Sequence, residues 1–322
     1  MSEVELQDLH PSRDDILSDV IRGLRAPQKW IAPMYFYDAR GSALFDRICE
    51  LPEYYPTRTE LGILSADGAA IAASIGPRVL LIEPGSAGGD KARVLLNLLD
   101  DPAAYVPVEI SREHLLDGAR ALNDEFPALE VLPVCADFTR PFDLPEPRQV
   151  VNRRVVFFPG STIGNFSPAR AVELLAHFAN IASDDGRILI GVDLRKDPAT
   201  LERAYNDDTG ITAEFNLNVL HRLNAELGAD FDVEAFSHRA VWNDTASRIE
   251  MHLVSKHAQT VRLGRERITL TDGEYIHTES SYKYSLEGFA ALAGRAGLSV
   301  VEVWTDPQTL FSVQLLQPSG GV

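Results

Sequence analysis

Three carboxylates in this chain stand at the same kind of position, each just past an apolar run. Glu83 lies two residues before Gly85 in Glu83-Pro84-Gly85-Ser86-Ala87-Gly88-Gly89-Asp90-Lys91. Glu109 ends a second run, and Asp137 follows a third in Ala136-Asp137-Phe138. Glycines allow close backbone approach to a ligand and positive φ. The G-x-x-G-G spacing fits a dinucleotide loop poorly, and the G-K-[ST] of a phosphate-binding loop is absent. An acid ahead of the first glycine suits a loop that cradles the amino-acid end of S-adenosylmethionine. On that reading Glu83, Gly85, Ser86 and Lys91 hold that end of the molecule. Glu109 accepts both ribose hydroxyls, Asp137 accepts from the adenine amino group, and Phe138 packs on the ring. Any one of these acids alone is an ordinary solvated loop residue; three in strand order form a specific pattern.

Such residues need strands that end where the acids stand. Segments 79–82, 105–110, 129–134, 155–158 and 187–192 read as strands. Several are apolar throughout, as expected when helices cover both faces of a sheet. Helices are expected over 91–99, over 111–126, and from Ser167-Pro168 to about residue 181. The alternation predicts an α/β fold with a doubly wound, mostly parallel sheet, which binds ligands at the carboxyl ends of its strands. Thr57 and Glu60 have capping-box spacing, for a helix to about Gly76. After Asp193 the pattern changes to helices from Asp197-Pro198 and over 212–227, then strands over 238–242, 248–254 and 260–263. The first pattern resumes with Ser285 as an N-cap, a helix to about Ala296, and strands over 300–304 and 310–315. An α+β insertion therefore splits the parent domain.

Composition narrows the partners. The chain has 322 residues, 45% of them apolar, and a net charge of −17. A nucleic-acid binder needs a basic footprint to displace counterions from phosphates, so nucleic acid and anionic membrane surfaces are not expected partners. A small zwitterionic substrate is indifferent to that sign. No run approaches the roughly 18 apolar residues of a membrane span. The acidic start MSEVELQDLHPSRDD lacks a signal-peptide pattern. Two distant cysteines, Cys49 and Cys135, build no disulfide framework or thiolate metal site, and fit a reducing cytoplasm. The eight histidines show no H-E-x-x-H or similar spacing, so no metal centre is expected.

Longer strings carry a resemblance. They are Phe36-Tyr37-Asp38-Ala39, Gly41-Ser42-Ala43-Leu44-Phe45-Asp46, LPEYYPTRTE over 51–60 and FPGSTIGNFSP over 158–168. They continue with RAYND over 203–207, FNLN over 215–218, RIEMHL over 248–253, TESSYKY over 278–284 and WTDP over 304–307. Across nearly its whole length the chain resembles the histidine-specific Nα-methyltransferases of ergothioneine biosynthesis. The resemblance implies a class I (Rossmann-like) S-adenosylmethionine methyltransferase domain over 61–195 and 285–322. It implies a second, α+β substrate-binding domain over 1–60 and 196–284. The implied reaction is methylation of the α-amino group of L-histidine, up to the trimethylated betaine hercynine, in the cytoplasm.

The resemblance also implies site residues. Asn165 and Tyr205 would hold the substrate carboxylate, Glu279 and Ser281 the imidazole, with Gly160 also at the substrate. Tyr37 and Tyr54 would be the catalytic tyrosines, lining the cavity with Phe45, and Met251 would form part of its wall. Tyr54 is preferred to its neighbour Tyr55. Two positions depart from the family pattern: Ala87 replaces the second glycine of an E-x-G-S-G loop, and Glu109 replaces an aspartate. By residue type alone the roles are blander: Glu279 a solvated strand charge, the tyrosines packing residues, Met251 core filler and Asn165 turn chemistry. A methyltransferase for another amino acid or small amine, and a non-catalytic cofactor-binding module, stay open as alternatives.

Overall fold

The structure, a computed structural model, describes residues 6–9, 13–86 and 89–320. Ala87 and Gly88 lie outside the described residues, and with them any effect of Ala87 on the loop. The chain begins with β1 (Gln7–Asp8), α1 (Arg13–Leu24), α2 (Ala39–Glu50), α3 (Tyr55–Ile75), β2 (Val79–Pro84) and α4 (Asp90–Leu96). It continues with β3 (Ala104–Glu109), α5 (Arg112–Glu125), β4 (Glu130–Val131), β5 (Val134–Cys135), β6 (Arg153–Phe158), α6 (Pro168–Ala182) and β7 (Arg187–Asp193). Then come α7 (Pro198–Tyr205), α8 (Ile211–Leu227), β8 (Phe236–Asn243), β9 (Arg248–Ser255), β10 (Gln259–Leu263), β11 (Glu266–Leu270) and β12 (Tyr275–Tyr282). Helix α9 (Leu286–Arg295), β13 (Leu298–Thr305) and β14 (Phe311–Pro318) close the chain. Among the described residues no helix is long and apolar enough to cross a membrane.

Two compact units result. The first takes residues 56–195 and 283–322 together with β1; the second takes the segment ending at Tyr55 and residues 196–282. The boundary expected at residue 60 thus falls after Tyr55, and the one expected at 284 falls after Tyr282. Strand β1 goes with the first unit because Gln7 and Asp8 pair in parallel with Val134 and Cys135 of β5.

The first unit is one sheet in the order β1-β5-β3-β2-β6-β7-β14-β13, with β4 beside β3. Strands β5, β3, β2, β6 and β7 are parallel, and β14 runs antiparallel between β7 and β13. This is the class I methyltransferase arrangement. Strand order reverses at β2, so its carboxyl end is the switch point at which such sheets bind ligands. Strand β2 is buried along its whole length. Its Leu80 and Ile82 join a cluster with Leu175, Phe178 and Phe289, while Val79 and Leu81 join another with Ile71, Ile75 and Leu95. Both faces are covered, and burying each such side chain stabilises by about 1.5–3 kcal/mol. The single strand expected over 129–134 is instead the short pair β4 and β5, broken at Leu132-Pro133, where proline cannot donate to the ladder.

The second unit holds a three-stranded antiparallel sheet, β12-β9-β8, and the hairpin β10-β11. Sequence patterning places no strand over 266–270 or 275–282; the structure has β11 and β12 there. Strand β12 reads YIHTESSY, too polar for a simple apolar alternation, and a bulge between His277 and Glu279 breaks its period.

Candidate active site

The carboxyl ends of β2, β3 and β5 carry the three acids. Glu83 is 3% exposed at the end of β2. Burial pushes its carboxyl up to about 7, against the opposing pull of the Tyr105 phenol, which donates to it, and of Lys91. Gly85 follows with φ of 74°, left-handed backbone that favours glycine. A Cβ there would stand 3.3 Å from the Phe138 ring. The amides of Gly85 and Ser86 donate to the Val108 carbonyl of β3 at 2.7 and 3.3 Å, tying the loop to the neighbouring strand.

At the end of β3 the Glu109 carboxylate turns back over its own chain. Its Oε1 accepts from the amides of Ile110 and Ser111 at 2.7 and 3.1 Å. Burial raises its pKa while those two amides lower it. Asp137 Oδ1 accepts from the Thr139 amide at 3.0 Å and its hydroxyl at 2.6 Å, and Oδ2 lies 3.3 Å from Arg140 Nε. The Phe138 ring packs 5.6, 6.3 and 6.5 Å from Phe158, Phe166 and Phe178, centroid to centroid. It is therefore anchored in the core, with one edge at the Gly85 turn.

Lys91, expected at the cofactor, pairs with a further carboxylate. Its Nζ lies 2.6 Å from Oε2 of Glu60, a fully buried carboxylate on α3. The Gly160 amide donates to the two oxygens of that carboxylate at 3.1 and 2.8 Å. A Cβ on Gly191 would fall 2.0 Å from Glu60 Oε1, so only glycine fits the strand beside it. In the sequence Glu60 stands out only by its capping-box spacing and as the last residue of the LPEYYPTRTE string. In the structure α3 begins at Tyr55, so Glu60 sits inside the helix and Thr57 is not its N-cap. The same loop region holds Asn165, half-buried at the end of a 3-10 turn, Thr162–Asn165. Ser161 before it has a φ of 56°, and its hydroxyl accepts from the Asp193 amide at 2.9 Å.

The second unit gathers the aromatic residues and several of those expected at the substrate. Asp38 caps α2 by accepting from the Gly41 amide at 2.6 Å, and Asn218 Nδ2 of α8 donates to the same oxygen at 2.8 Å. That bridge sets Tyr37 and Phe45 against α8. The Tyr37 ring meets Phe45 and Phe215 at 5.7 Å each, Phe45 meets Tyr54 at 6.3 Å, and Tyr54 meets Tyr205 at 6.0 Å, all edge to face. Phe215, which sequence reasoning did not assign, lies at the centre of this wall. Burial first, then Tyr205, Cys49 and Glu279, push the Tyr54 phenol well above its ordinary range.

On β12 the bulge places Glu279 opposite Met251 and Ser281 opposite Ile249. Directly opposed residues share a face, so Glu279, Met251 and Ser281 line one face of the sheet; all three are buried. The Tyr205 hydroxyl donates to Ser281 Oγ at 2.8 Å. Tyr205 and Ser281, expected at opposite ends of a substrate, are thus joined by a hydrogen bond. Thr278, the bulged residue, has its hydroxyl 2.7 Å from Asn216 Oδ1 and 3.0 Å from the Met251 carbonyl. Asn216 also donates to the His252 carbonyl at 3.1 Å. The bulge is therefore pinned from α8 by a residue that the sequence offered only as part of the FNLN string.

Residues 16–318 match the model of a family described as histidine-specific, S-adenosylmethionine-dependent methyltransferases. The chain is 42% identical over 303 residues to the histidine N-alpha-methyltransferase of Mycolicibacterium smegmatis, covering 92% of this chain and 93% of that one. It is 41% identical to the histidine N-alpha-methyltransferase of Mycobacterium tuberculosis, with the same coverage. A 4-dimethylallyltryptophan N-methyltransferase of Aspergillus fumigatus is 29% identical over 309 residues, covering 91% of this chain and 90% of that one. With a class I sheet, acids in order at its strand ends and a family match over almost its full length, this chain belongs to the histidine-specific, S-adenosylmethionine-dependent methyltransferases.

Proposed function

We propose that this protein methylates the α-amino group of L-histidine, in three successive transfers, to the trimethylated betaine. The observation that carries the reading is the buried polar face of β12. Glu279 and Ser281 are 8% and 4% exposed on one strand face, beside the Tyr205 hydroxyl. A buried carboxylate and hydroxyl call for a polar ring. Imidazole offers one N–H to Glu279 and its second nitrogen to Ser281. An apolar isostere would leave both groups unpaired.

The remaining roles follow from the same chemistry. Glu83, Gly85, Ser86, Glu109 and Asp137 fit S-adenosylmethionine: a glycine turn open to close approach and three carboxylates at the strand ends that define the switch point. When bound there, S-adenosylmethionine supplies a methyl group already activated on a sulfonium. The chain's own residues then have to position a neutral amine and exclude water. Tyr37, Phe45 and Tyr54 form an aromatic wall for a nitrogen that gains methyl groups, and aromatic faces favour a methylated cation. Tyr54 stays a neutral phenol, so it holds the amine by hydrogen bonding and does not remove its proton as a phenolate. Tyr205 is assigned to the substrate carboxylate along with Asn165, whose role rests on the family resemblance. Met251 and Gly160 shape the surroundings. The third transfer is the last, since the trimethylammonium has no lone pair.

Incubation with S-adenosylmethionine and L-histidine, followed by mass spectrometry, tests the reading. Gains of one, then two, then three methyl groups are expected. Turnover of tryptophan in preference to histidine, or accumulation of monomethyl histidine with excess methyl donor, would overturn it.

A further inference from the structure

The sheet β12-β9-β8 has a second face, and its residues take no part in the reading above. Alternation puts Glu250 and His252 of β9 on that face, and the register sets His277 of β12 directly opposite His252. Glu250 Oε2 lies 3.1 Å from His252 Nε2 and 3.9 Å from His277 Nδ1. One ligand atom from each of the three residues falls within 4.8 Å of the others. We propose that Glu250, His252 and His277 bind one divalent first-row transition-metal ion, with Zn2+ the best match.

The geometry suits a tetrahedral ion. Metal–ligand bonds of about 2.0–2.1 Å place ligand atoms roughly 3.3 Å apart, so modest side-chain rotation closes the set. The carboxylate is already oriented for a single bond. Arg248 donates to Oε1 from Nε and Nη2 at 2.8 and 2.6 Å, and Asn243 donates to the same oxygen at 2.8 Å. Every one of those donors is on Oε1, and Oε2 is left facing the two imidazoles. His277 Nε2 lies 2.9 Å from Ser280 Oγ. With Nε2 donating there, Nδ1 presents a lone pair towards Glu250 Oε2, and two acceptors face each other across a gap that a cation fills. Such an orienting partner on the far nitrogen is the usual companion of a metal-bound histidine.

The ligands stand on rigid backbone. The His277 amide donates to the Lys29 carbonyl at 2.8 Å, and the His277 carbonyl accepts from the Ile31 amide at 3.0 Å. The His252 ring stacks on Tyr275 with centroids 4.0 Å apart. Arg239 and Arg248 oppose a dication here. The site therefore selects ions that gain from imidazole bonding, and Mg2+ or Ca2+, which need oxygen ligands, do not fit. Spacing in the sequence does not reveal this set, because the third ligand arrives by strand register from a separate element.

Equilibrium dialysis of the full, chelator-treated protein against Zn2+ tests the proposal, with metal content read per chain. Histidine is left out of the buffer because free histidine chelates zinc. A parallel titration with Co2+ reads the visible absorption of low-coordinate cobalt. One zinc per chain is expected, with a raised thermal midpoint in its presence. His277→Gln and Glu250→Gln should each weaken zinc binding at least tenfold and abolish the cobalt band. His257→Gln, at an exposed histidine outside the cluster, should change neither. Absence of saturable zinc uptake by the wild type, or equal uptake by both cluster variants, would refute the site. So would binding of Ca2+ or Mg2+ as tight as that of Zn2+.

Discussion

Lys91→Met separates two roles that the sequence left entangled. Lys91 stands at the cofactor loop, yet its ammonium is 2.6 Å from the fully buried Glu60 carboxylate. If pairing with Glu60 is its task, the variant strands a carboxylate that, among the described residues, keeps the Gly160 amide as its hydrogen-bond donor. Removing one partner of a buried pair destabilises by about 3–5 kcal/mol. The lysine side chain is 17% exposed and the Gly160 hydrogen bonds remain, so the low end, about 3 kcal/mol, applies. A domain of this size loses roughly 2–4 °C of midpoint per kcal/mol, which gives a fall of roughly 6–12 °C in thermal unfolding. Glu60→Gln in the same chain should restore most of that loss, since glutamine still accepts from Gly160 and buries no charge. The coupling between the two changes should be about 2 kcal/mol or more. Calorimetric titration with S-adenosylhomocysteine supplies the second reading, and affinity should change far less than stability. An unchanged midpoint together with a tenfold or greater loss of affinity would instead mark a lysine that contacts the ligand itself and has no structural task at Glu60.

Binding of S-adenosylhomocysteine should weaken about tenfold between pH 8 and pH 6, because Glu83, pushed up to about 7 by burial, must lose its proton before it can accept an ammonium; a flat profile over that range sinks the assignment. Tyr54→Phe should raise KM and leave the shape of the kcat pH profile unchanged, since the phenol lies well above its ordinary range and supplies no base; disappearance of a limb from the profile would show otherwise. Burial pushes the Asp207 carboxyl up, but the Thr209 hydroxyl at 2.6 Å and the Thr212 and Ile211 amides at 2.8 and 2.9 Å, at the start of α8, donate to it and hold it at about 2 against an ordinary 3.8. Its folded pKa is depressed, so its contribution is fully present above pH 3.8 and is lost as pH falls towards 2. Asp207→Asn should therefore cost about 1–2 kcal/mol in urea unfolding at neutral pH, and the gap to wild type should close in acid; a gap that persists at pH 2 would show that the charge is not its source.

Much of the first unit could be read from the sequence because its physics is local. Strands β2, β3, β6 and β7 are apolar runs between helices, and a sheet covered on both faces leaves no room for alternation. Once the strand ends are known, Glu83, Glu109 and Asp137 fall at the carboxyl ends of β2, β3 and β5 without further information. The errors there were also local. Proline at 133 splits one expected strand into β4 and β5, and the capping-box spacing of Thr57 and Glu60 occurs by chance inside α3. Glu60 itself could not be found this way. Its partners, Lys91, Gly160 and Gly191, are distant in the chain, and a glutamate in a helix ordinarily faces water.

The proposed substrate face is harder to read for a reason tied to the role assigned to it. Residues that bind a polar ring must be buried and polar, which is the combination that erases an amphipathic signal. In β12 the outward face carries His277, Ser280 and Tyr282 while the inward face carries Glu279 and Ser281, so neither face is apolar and period 2 does not show. The bulge at Thr278 then shifts the phase halfway along. That shift is what sets Glu279 opposite Met251, yet it removes the remaining regularity by which the strand could be recognised. Its cost is met from outside the strand, by Asn216 of α8 receiving the Thr278 hydroxyl. Local sequence rules therefore fail where tertiary contacts hold a strand in a shape its own residues do not favour. In this chain that failure marks the strand that carries Glu279 and Ser281, the residues proposed to read the imidazole.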